Sequence, residues 1–284
     1  MSQIQIHTHT AGEGGLLVNA YLVEVAAGLV AVDTGLLNSD IAALDSRVEA
    51  LGKPLLAVFV SHAHPDHFNG THALVKDRAV PVYATAAVAA AIHEVADAKR
   101  EQWGPVYGAE WPTRTTYPTH ELADGAEVNI EGLSISVRDV GAAESHADSY
   151  LVARQPGCEP VAFVGDLAFA GTHPYTADGH TGRWLTVLDR LAAELARVPR
   201  LLPGHGGPTT PAVIADQRRY LMFYREVVRR LLDGRSELDE AARAELDRQM
   251  QAFLPGAPLS WMVRLGADAV SAEIVAEGDG ARAA

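Results

Sequence analysis

The stretch SHAHPDH, residues 61–67, holds three histidines and one aspartate directly after the apolar run LLAVFV (55–60). A short apolar run of this kind is typical of a buried strand. Residues two apart on an extended segment face the same way, which applies to His62 and His64. Imidazole is the commonest metal-binding side chain, and aspartate adds an oxygen ligand. The stretch therefore predicts a metal site at the end of a buried strand.

Strands and helices alternate on both sides of this stretch. LLVNAYLVEV (16–25) and LVAVDTG (29–35) predict a strand pair, and SDIAALDSRVEALG (39–52) predicts a helix. EVNIEGLSISVRDV (127–140) predicts a hairpin that turns at Gly132. From about Thr210 onwards the pattern is helical only. Mixed elements of this kind predict helices packed on sheets, followed by a helical tail.

Three further polar residues stand where predicted strands begin or end. His146 lies in GAAESHADSY (141–150), Asp166 ends PVAFVGD (160–166), and His205 lies in LLPGHGG (201–207). Glycines beside Asp166 and His205 allow the backbone to approach a site closely. Strand ends are where active sites of such folds usually lie, so we expect these side chains to join the motif at 61–67.

In this order, the residues resemble the metallo-β-lactamase superfamily of hydrolases. The HxHxDH motif matches at 62–67, and the later metal-binding positions match at His146, Asp166 and His205. The resemblance covers roughly residues 4–207 and implies an α+β fold, an αββα sandwich of two mixed β-sheets flanked by helices. We therefore expect a catalytic domain over 1–208 and a C-terminal helical extension over 209–284 packed on it.

The resemblance also implies two metal sites in each chain. Three residues would hold the first metal: His62, His64 and His146. Three others would hold the second metal: Asp66, His67 and His205. Asp166 would bridge the two, and Asp33 in AVDTG matches a supporting position of the fold. Two zinc ions per chain are expected; iron or manganese also suits this set, because ligand type alone does not decide the metal.

The function implied is that of a dinuclear zinc hydrolase. A hydroxide bridging two zinc ions would cleave an ester, thioester, lactone or related acyl bond, with Asp66 as the catalytic residue that orients it. Two alternatives share the fold: a mononuclear iron oxidoreductase similar to persulfide dioxygenases, and a β-lactam hydrolase. A third alternative is a metal-binding protein without enzymatic activity, and the intact ligand set argues against it.

Two segments are candidates for substrate binding. The first is residues 101–119, interpreted as a loop that carries Trp103, Tyr107 and Trp111 among prolines and glycines. Aromatic side chains beside a metal site suit an apolar acyl group or ring. The second follows Asp166 and supplies Phe169, His173, Tyr175 and His180. Phe169 stands where homoserine-lactone lactonases of the superfamily typically carry tyrosine, a departure from that branch.

The composition narrows the classes of molecule that we expect this protein to bind. A net charge of −13 disfavours nucleic acid, because phosphate contacts need a basic surface. The absence of a long apolar stretch and of a signal-peptide pattern, together with the lone Cys158, predicts a cytoplasmic protein without a membrane partner. We expect a small-molecule substrate. The apolar face of YLMFYREVVRRLL (220–232) predicts packing on the sandwich or a homodimer contact.

Overall fold

The computed structural model describes residues 2–76 and 79–283. Its strands are β1 (Ser2–Gln3), β2 (Ile6–Thr10), β3 (Asn19–Glu24), β4 (Leu29–Val32), β5 (Leu55–Phe59), β6 (Val82–Thr85), β7 (His120–Leu122), β8 (Glu127–Ile130), β9 (Leu133–Gly141), β10 (Asp148–Arg154), β11 (Cys158–Glu159), β12 (Val161–Gly165) and β13 (Arg200–Pro203). Its α-helices are α1 (Asn38–Leu51), α2 (Pro65–Phe68), α3 (Thr71–Val75), α4 (Ala86–Tyr107), α5 (Thr181–Glu194), α6 (Ala212–Leu232), α7 (Glu240–Phe253), α8 (Trp261–Leu265) and α9 (Ala267–Ala283).

The strands form two mixed sheets and one short parallel pair. The first sheet has the order β2-β3-β4-β5-β6-β7, antiparallel at β2-β3-β4 and parallel from β4 to β7. The second has the order β13-β12-β10-β9-β8, parallel only at β12-β13. Strands β1 and β11 make the parallel pair. The hairpin predicted over 127–140 is confirmed, with Gly132 in its turn at φ +83°.

Three apolar layers hold the sheets and helices together. Strand β4 illustrates the arrangement, because its side chains alternate between two of these layers. Val30 and Val32 pack between the two sheets, whereas Leu29 and Ala31 pack against the helices outside the first sheet. The third layer lies between the second sheet and helices α5, α6, α7 and α9. The helix–sheet–sheet–helix order confirms the predicted αββα sandwich.

Helix α4 is longer than the sequence suggested. The segment 101–119 was interpreted as a loop because it holds Pro105 and several glycines, but the helix continues to Tyr107. Pro105 lies in its last turn, where its missing N–H removes one hydrogen bond to the carbonyl of Glu101 and only two helical residues follow. The helix ends at Gly108, whose φ of +55° suits glycine. Trp103 and Tyr107 therefore stand one turn apart on a helix, and Trp111 follows a 3₁₀ turn.

The helices after residue 208 pack on the sandwich. Tyr220, Tyr224 and Val228 of α6 share one apolar layer with Trp184 and Leu188 of α5. The boundary at 208/209 stays a prediction, since this layer is continuous across it. Within 2–76 and 79–283, no helix combines the length and the apolar character that a membrane span requires.

Candidate metal centre

The HxHxDH motif lies where β5 ends and α2 begins. His62 still belongs to the extended segment and forms an isolated antiparallel bridge with Asp148 at the start of β10. Pro65 occupies the first turn of α2, where its missing N–H is tolerated. Asp66 and His67 follow on that turn, and both are buried. The change from strand to helix turns all four polar side chains of the motif towards one place.

Asp33 supports the motif from the end of β4. Its carboxylate accepts hydrogen bonds from Ser61 N and Ser61 Oγ, both at 2.8 Å, and lies 2.8 Å from His67 Nδ1. The backbone at Asp33 has φ +60°, which aims the side chain at the neighbouring strand end. Because Nδ1 of His67 is held in this way, Nε2 is left to face the site. These contacts confirm the supporting role predicted for Asp33.

One donor cluster consists of Asp66, His67 and His205. His205 Nε2 lies 3.3 Å from Asp66 Oδ2 and 3.3 Å from Asp166 Oδ2. His67 Nε2 lies 3.4 Å from Asp166 Oδ1. The other nitrogen of His205, Nδ1, is 2.8 Å from the carbonyl oxygen of Leu16, which fixes the ring. The structure therefore brings together the predicted second set and Asp166.

The second donor cluster consists of His62, His64 and Glu144. Glu144 Oε2 lies 3.0 Å from His64 Nδ1 and 3.6 Å from His62 Nε2. Glu144 is fully buried, and burial raises the pKa of its carboxyl above the ordinary value. A carboxylate therefore stands where the sequence analysis expected His146.

The structure does not bring His146 together with His62 and His64, contrary to what the sequence analysis expected. The His146 side chain is 58% exposed, and its Nδ1 lies 2.7 Å from His180 Nε2. The cause is Asp148, whose carboxylate accepts hydrogen bonds from the backbone N–H groups of Ala143 and Ser145 at 3.0 and 2.9 Å. The resulting tight turn points Glu144 inwards and leaves His146 outside. Burial raises the pKa of Asp148 to about 6.

Several buried atoms of the two clusters have no hydrogen-bond partner among the described residues. They are His62 Nε2, His67 Nε2, both carboxylate oxygens of Glu144 and Asp166 Oδ1. The contacts of Glu144 Oε2 to His64 Nδ1 and of Asp166 Oδ1 to His67 Nε2 are short, but they lack hydrogen-bond geometry. A buried polar atom without a partner costs about 1–3 kcal/mol. Nitrogen and carboxylate oxygen are donors that divalent metals bind. The residues present therefore fit a metal centre, since metal ligation would satisfy these atoms together.

Asp178 holds one ligand from outside the cluster. Its Oδ2 lies 3.1 Å from His64 Nε2, the nitrogen that faces away from Glu144. Tyr175 donates a hydrogen bond of 3.0 Å to Asp178 Oδ1. Although burial opposes it, the hydrogen bond from His64 keeps the pKa of Asp178 below its ordinary value. A carboxylate on the outer nitrogen of a metal-binding histidine fixes the ring and raises its basicity.

A cleft of about 740 Å³, including its open mouth, lies above the donor clusters. Five predicted substrate residues line it: Trp103, Tyr107, Trp111, Phe169 and Tyr175. The Phe169 ring also stacks on the ring of His205, with centroids 5.2 Å apart and planes 7° apart. Trp111 is buried against Leu36 and Leu37, so it anchors its segment as well as lining the cleft.

Two predicted substrate residues do not line this cleft. His173 is buried, and its Nδ1 lies 2.8 Å from the hydroxyl of Tyr220 on α6, so it contributes to packing. His180 precedes α5 and lies against His146 at the surface. Between His173 and His180, it is Tyr175 and Asp178 whose side chains reach the site.

Comparison with known proteins gives the family. The model of the metallo-β-lactamase superfamily matches residues 14–205. The chain belongs to the metallo-β-lactamase superfamily. A hydroxyacylglutathione hydrolase from Parasynechococcus marenigrum (strain WH8102) is 32% identical over 119 residues, which are 41% of this chain and 39% of that relative. The matched segment thus covers less than half of either protein.

Solved structures of the superfamily share the fold at low sequence identity. A metallo-β-lactamase from Pontibacter korlensis has a TM-score of 0.61 and 21% identity, covering 78% of this chain and 96% of that one. A β-lactamase domain protein from Burkholderia ambifaria has a TM-score of 0.64 and 18% identity, covering 92% and 82% respectively. At these identities the similarity shows the metallo-β-lactamase fold alone.

Several site residues of this superfamily member escaped the sequence analysis. Glu144 gave one signal: it is an acidic residue among the small residues of GAAES (141–145). Asp178 gave none, because it lies in a loop without periodicity. Seven further lining residues outside the motif at 61–67 were missed: Leu16, Leu36, Lys99, Gln102, Trp261, Met262 and Leu265. The last three come from α8, so the C-terminal extension forms part of the cleft.

Proposed function

We propose that this protein is a metal-dependent hydrolase that cleaves an ester, thioester, lactone or related acyl bond of a small molecule. One observation carries the proposal. Two groups of three donor side chains lie beneath an aromatic cleft, which His64, Asp66 and His205 line, and several of their buried atoms have no hydrogen-bond partner among the described residues. Hydroxyacylglutathione hydrolase, the curated relative, also performs hydrolysis of an acyl compound.

Seven residues would hold two metals. The first site would use His62, His64 and Glu144, and the second would use Asp66, His67 and His205. Asp166 would join them, because its oxygens face His67 and His205, and it also groups with His62 and His67. Three or four protein ligands leave each metal an open position, as catalytic zinc requires. Zinc is the metal we propose, and iron and manganese remain alternatives to be distinguished by measurement.

Bound metals would supply hydroxide at neutral pH, because they lower the pKa of water from about 15.7 towards 7, and would polarise the substrate carbonyl. The protein supplies position and surroundings. Asp66, which lines the cleft, orients the attacking water through its carboxylate. Trp103, Tyr107 and Phe169 bind the apolar part of the acyl group and exclude bulk water. Asp178 keeps His64 in one orientation.

A second candidate is an iron oxidoreductase similar to persulfide dioxygenases. The set of His62, His64 and Glu144 has the two-histidine, one-carboxylate composition that also serves non-haem iron(II). The same composition serves zinc in hydrolases. The presence of a second donor cluster at Asp66, His67 and His205 favours the dinuclear hydrolase.

Metal analysis by inductively coupled plasma mass spectrometry distinguishes the candidates. The protein is expressed in medium that supplies zinc, iron and manganese together. About two zinc ions per chain, with hydrolysis of at least one member of an ester, thioester and lactone panel, are expected. About one iron ion, with oxygen consumption on a persulfide, would replace the hydrolase by the oxidoreductase. No metal after reconstitution would overturn both.

A matched pair of variants ties the metal to the site. His64→Ala should lose metal and nearly all activity. His93→Ala removes an exposed histidine that stacks on Tyr117, and should keep both. Full metal content in His64→Ala would contradict the ligand assignment.

A further inference from the structure

The last two turns of α4 present one continuous face to the cleft. Lys99, Gln102, Trp103 and Tyr107 all line it, at positions i, i+3, i+4 and i+8 of the helix. Residues at these spacings lie on the same side of an α-helix. This face combines one cation and one amide with two aromatic rings. Tyr107 belongs to this face because the helix continues through Pro105.

Lys99 differs from the other lysines of the chain. There are three in all, at positions 53, 76 and 99. Lys53 lies 2.9 Å from Glu24, and Lys76 lies 2.7 Å from Asp45. Lys99 is half-buried, and no carboxylate within the described ranges lies within 4.0 Å of its ammonium group. Lys99 thus has no ion-pair partner at contact distance among the described residues, although its charge reaches Asp178 and helps to lower the pKa of that carboxyl.

Lys99 is also the only obligate cation among the described residues that line the cleft. The carboxylates of the cleft, Asp66 and Asp166, belong to the donor clusters. The remaining lining is largely apolar or aromatic. An ammonium group with apolar neighbours interacts more strongly with an anion than one in open water does.

The opposite wall of the cleft is apolar and accessible. Trp261 and Leu265 stand one turn apart on α8 and are 48% and 39% exposed. Large apolar side chains left open at the mouth of a cleft are suited to cover the apolar part of a ligand.

We propose that Lys99 binds a carboxylate of the substrate, so that the substrate is an acyl compound with an apolar body and a separate anionic group. The inference rests on the proposed hydrolase function. Gln102, one turn further along α4, donates a second hydrogen bond to the same group. The apolar body lies between Trp103 and Trp261, and the scissile bond reaches the donor clusters. Lys99 is thus a specificity-determining residue and takes no part in bond cleavage.

Matched esters test this inference on the zinc-loaded enzyme. One substrate is the para-nitrophenyl ester of para-carboxyphenylacetic acid, and the other carries a carboxamide in place of the free carboxylate. The wild type should prefer the anionic ester by about tenfold in kcat/KM, mainly through KM, as expected for a charge-assisted hydrogen bond. In Lys99→Met the ratio of the two kcat/KM values should fall to about one, and Lys99→Arg should keep most of the preference.

Lys53→Met is the matched control, since it removes the same charge. Lys53 lies before β5, and the metal motif lies after that strand. Because the five extended residues of β5 span about 16 Å, Lys53 is remote from the motif. This variant should keep the wild-type preference. An unchanged preference in Lys99→Met would overturn the inference. An equal fall in kcat on both esters would also overturn it, because it would place Lys99 at the reacting carbonyl.

Failure of the hydrolase proposal gives a different result. If the wild type hydrolyses neither ester, isothermal titration calorimetry with the two corresponding anilides measures binding without turnover. The wild type should still bind the carboxylate-bearing anilide about tenfold more tightly than the carboxamide anilide. Lys99→Met should bind the two anilides equally. Equal affinities of the wild type for both anilides would reject the role of Lys99 independently of catalysis.

Discussion

Glu144→Ala and His146→Ala should have opposite consequences, although only two positions separate them. Glu144 Oε2 lies 3.0 Å from His64 Nδ1 within a donor cluster, whereas the His146 side chain is 58% exposed. Structural zinc sites bind with about 10–16 kcal/mol shared among about four ligands, so that one ligand contributes about 2.5–4 kcal/mol. Glu144→Ala should therefore weaken the first metal by about 100- to 1,000-fold, and His146→Ala should leave it within about threefold of the wild type.

Competition with a chromogenic zinc chelator measures both affinities in one titration. In Glu144→Ala, the tight stoichiometry should fall from about two zinc ions to about one. Circular dichroism checks that the variant folds, which we expect because both Glu144 oxygens lack hydrogen-bond partners among the described residues. Glu144→His should keep two zinc ions, since imidazole replaces one donor by another. Loss of a metal in His146→Ala with retention in Glu144→Ala would refute the reasoning.

Three further changes probe other parts of the structure. Asp178→Asn removes the charge that orients His64, so the affinity for the first metal should fall about 10- to 100-fold in the same titration. An unchanged affinity would show that Asp178 does not position His64. Gly204→Ala places a Cβ against Asp166 Oδ1, so it should destabilise the protein by about 1–3 kcal/mol in urea unfolding and lower metal content. Wild-type values of both would contradict the close approach. Leu246→Ala, in the buried face of α7, should cost about 2–5 kcal/mol within one unfolding transition, whereas a separate early transition would indicate an independently folding extension.

The sequence was most informative where chemistry and local structure coincide. At SHAHPDH the residue types indicate metal binding, and the preceding apolar strand determines where they lie. Asp166 and His205 were found for the same reason, since each follows a short apolar strand. The alternation of strands and helices likewise predicted the sandwich, because each layer must bury one apolar face.

The sequence was less informative where hydrogen bonds within a turn, or packing between distant segments, decide the geometry. His146 was chosen because histidine is the commoner ligand, but the hydrogen bonds of Asp148 determine which side chain of the turn faces inwards. Pro105 suggested a loop, although a proline in the last turn left the helix in place. The contribution of α8 depends on how the extension packs, and periodicity carries no information on that.

Because α8 forms one wall of the cleft, evolution or a designer can alter substrate selection independently of the metal chemistry. The metal donors come from the ends of sandwich strands, whereas residues 261–265 shape the mouth of the cleft from more than fifty positions beyond His205. Substitutions confined to that short helix can change which molecules enter without touching the chemistry below. A mutant library limited to Trp261, Met262 and Leu265 is therefore a compact route to new selectivities on an unchanged reaction centre.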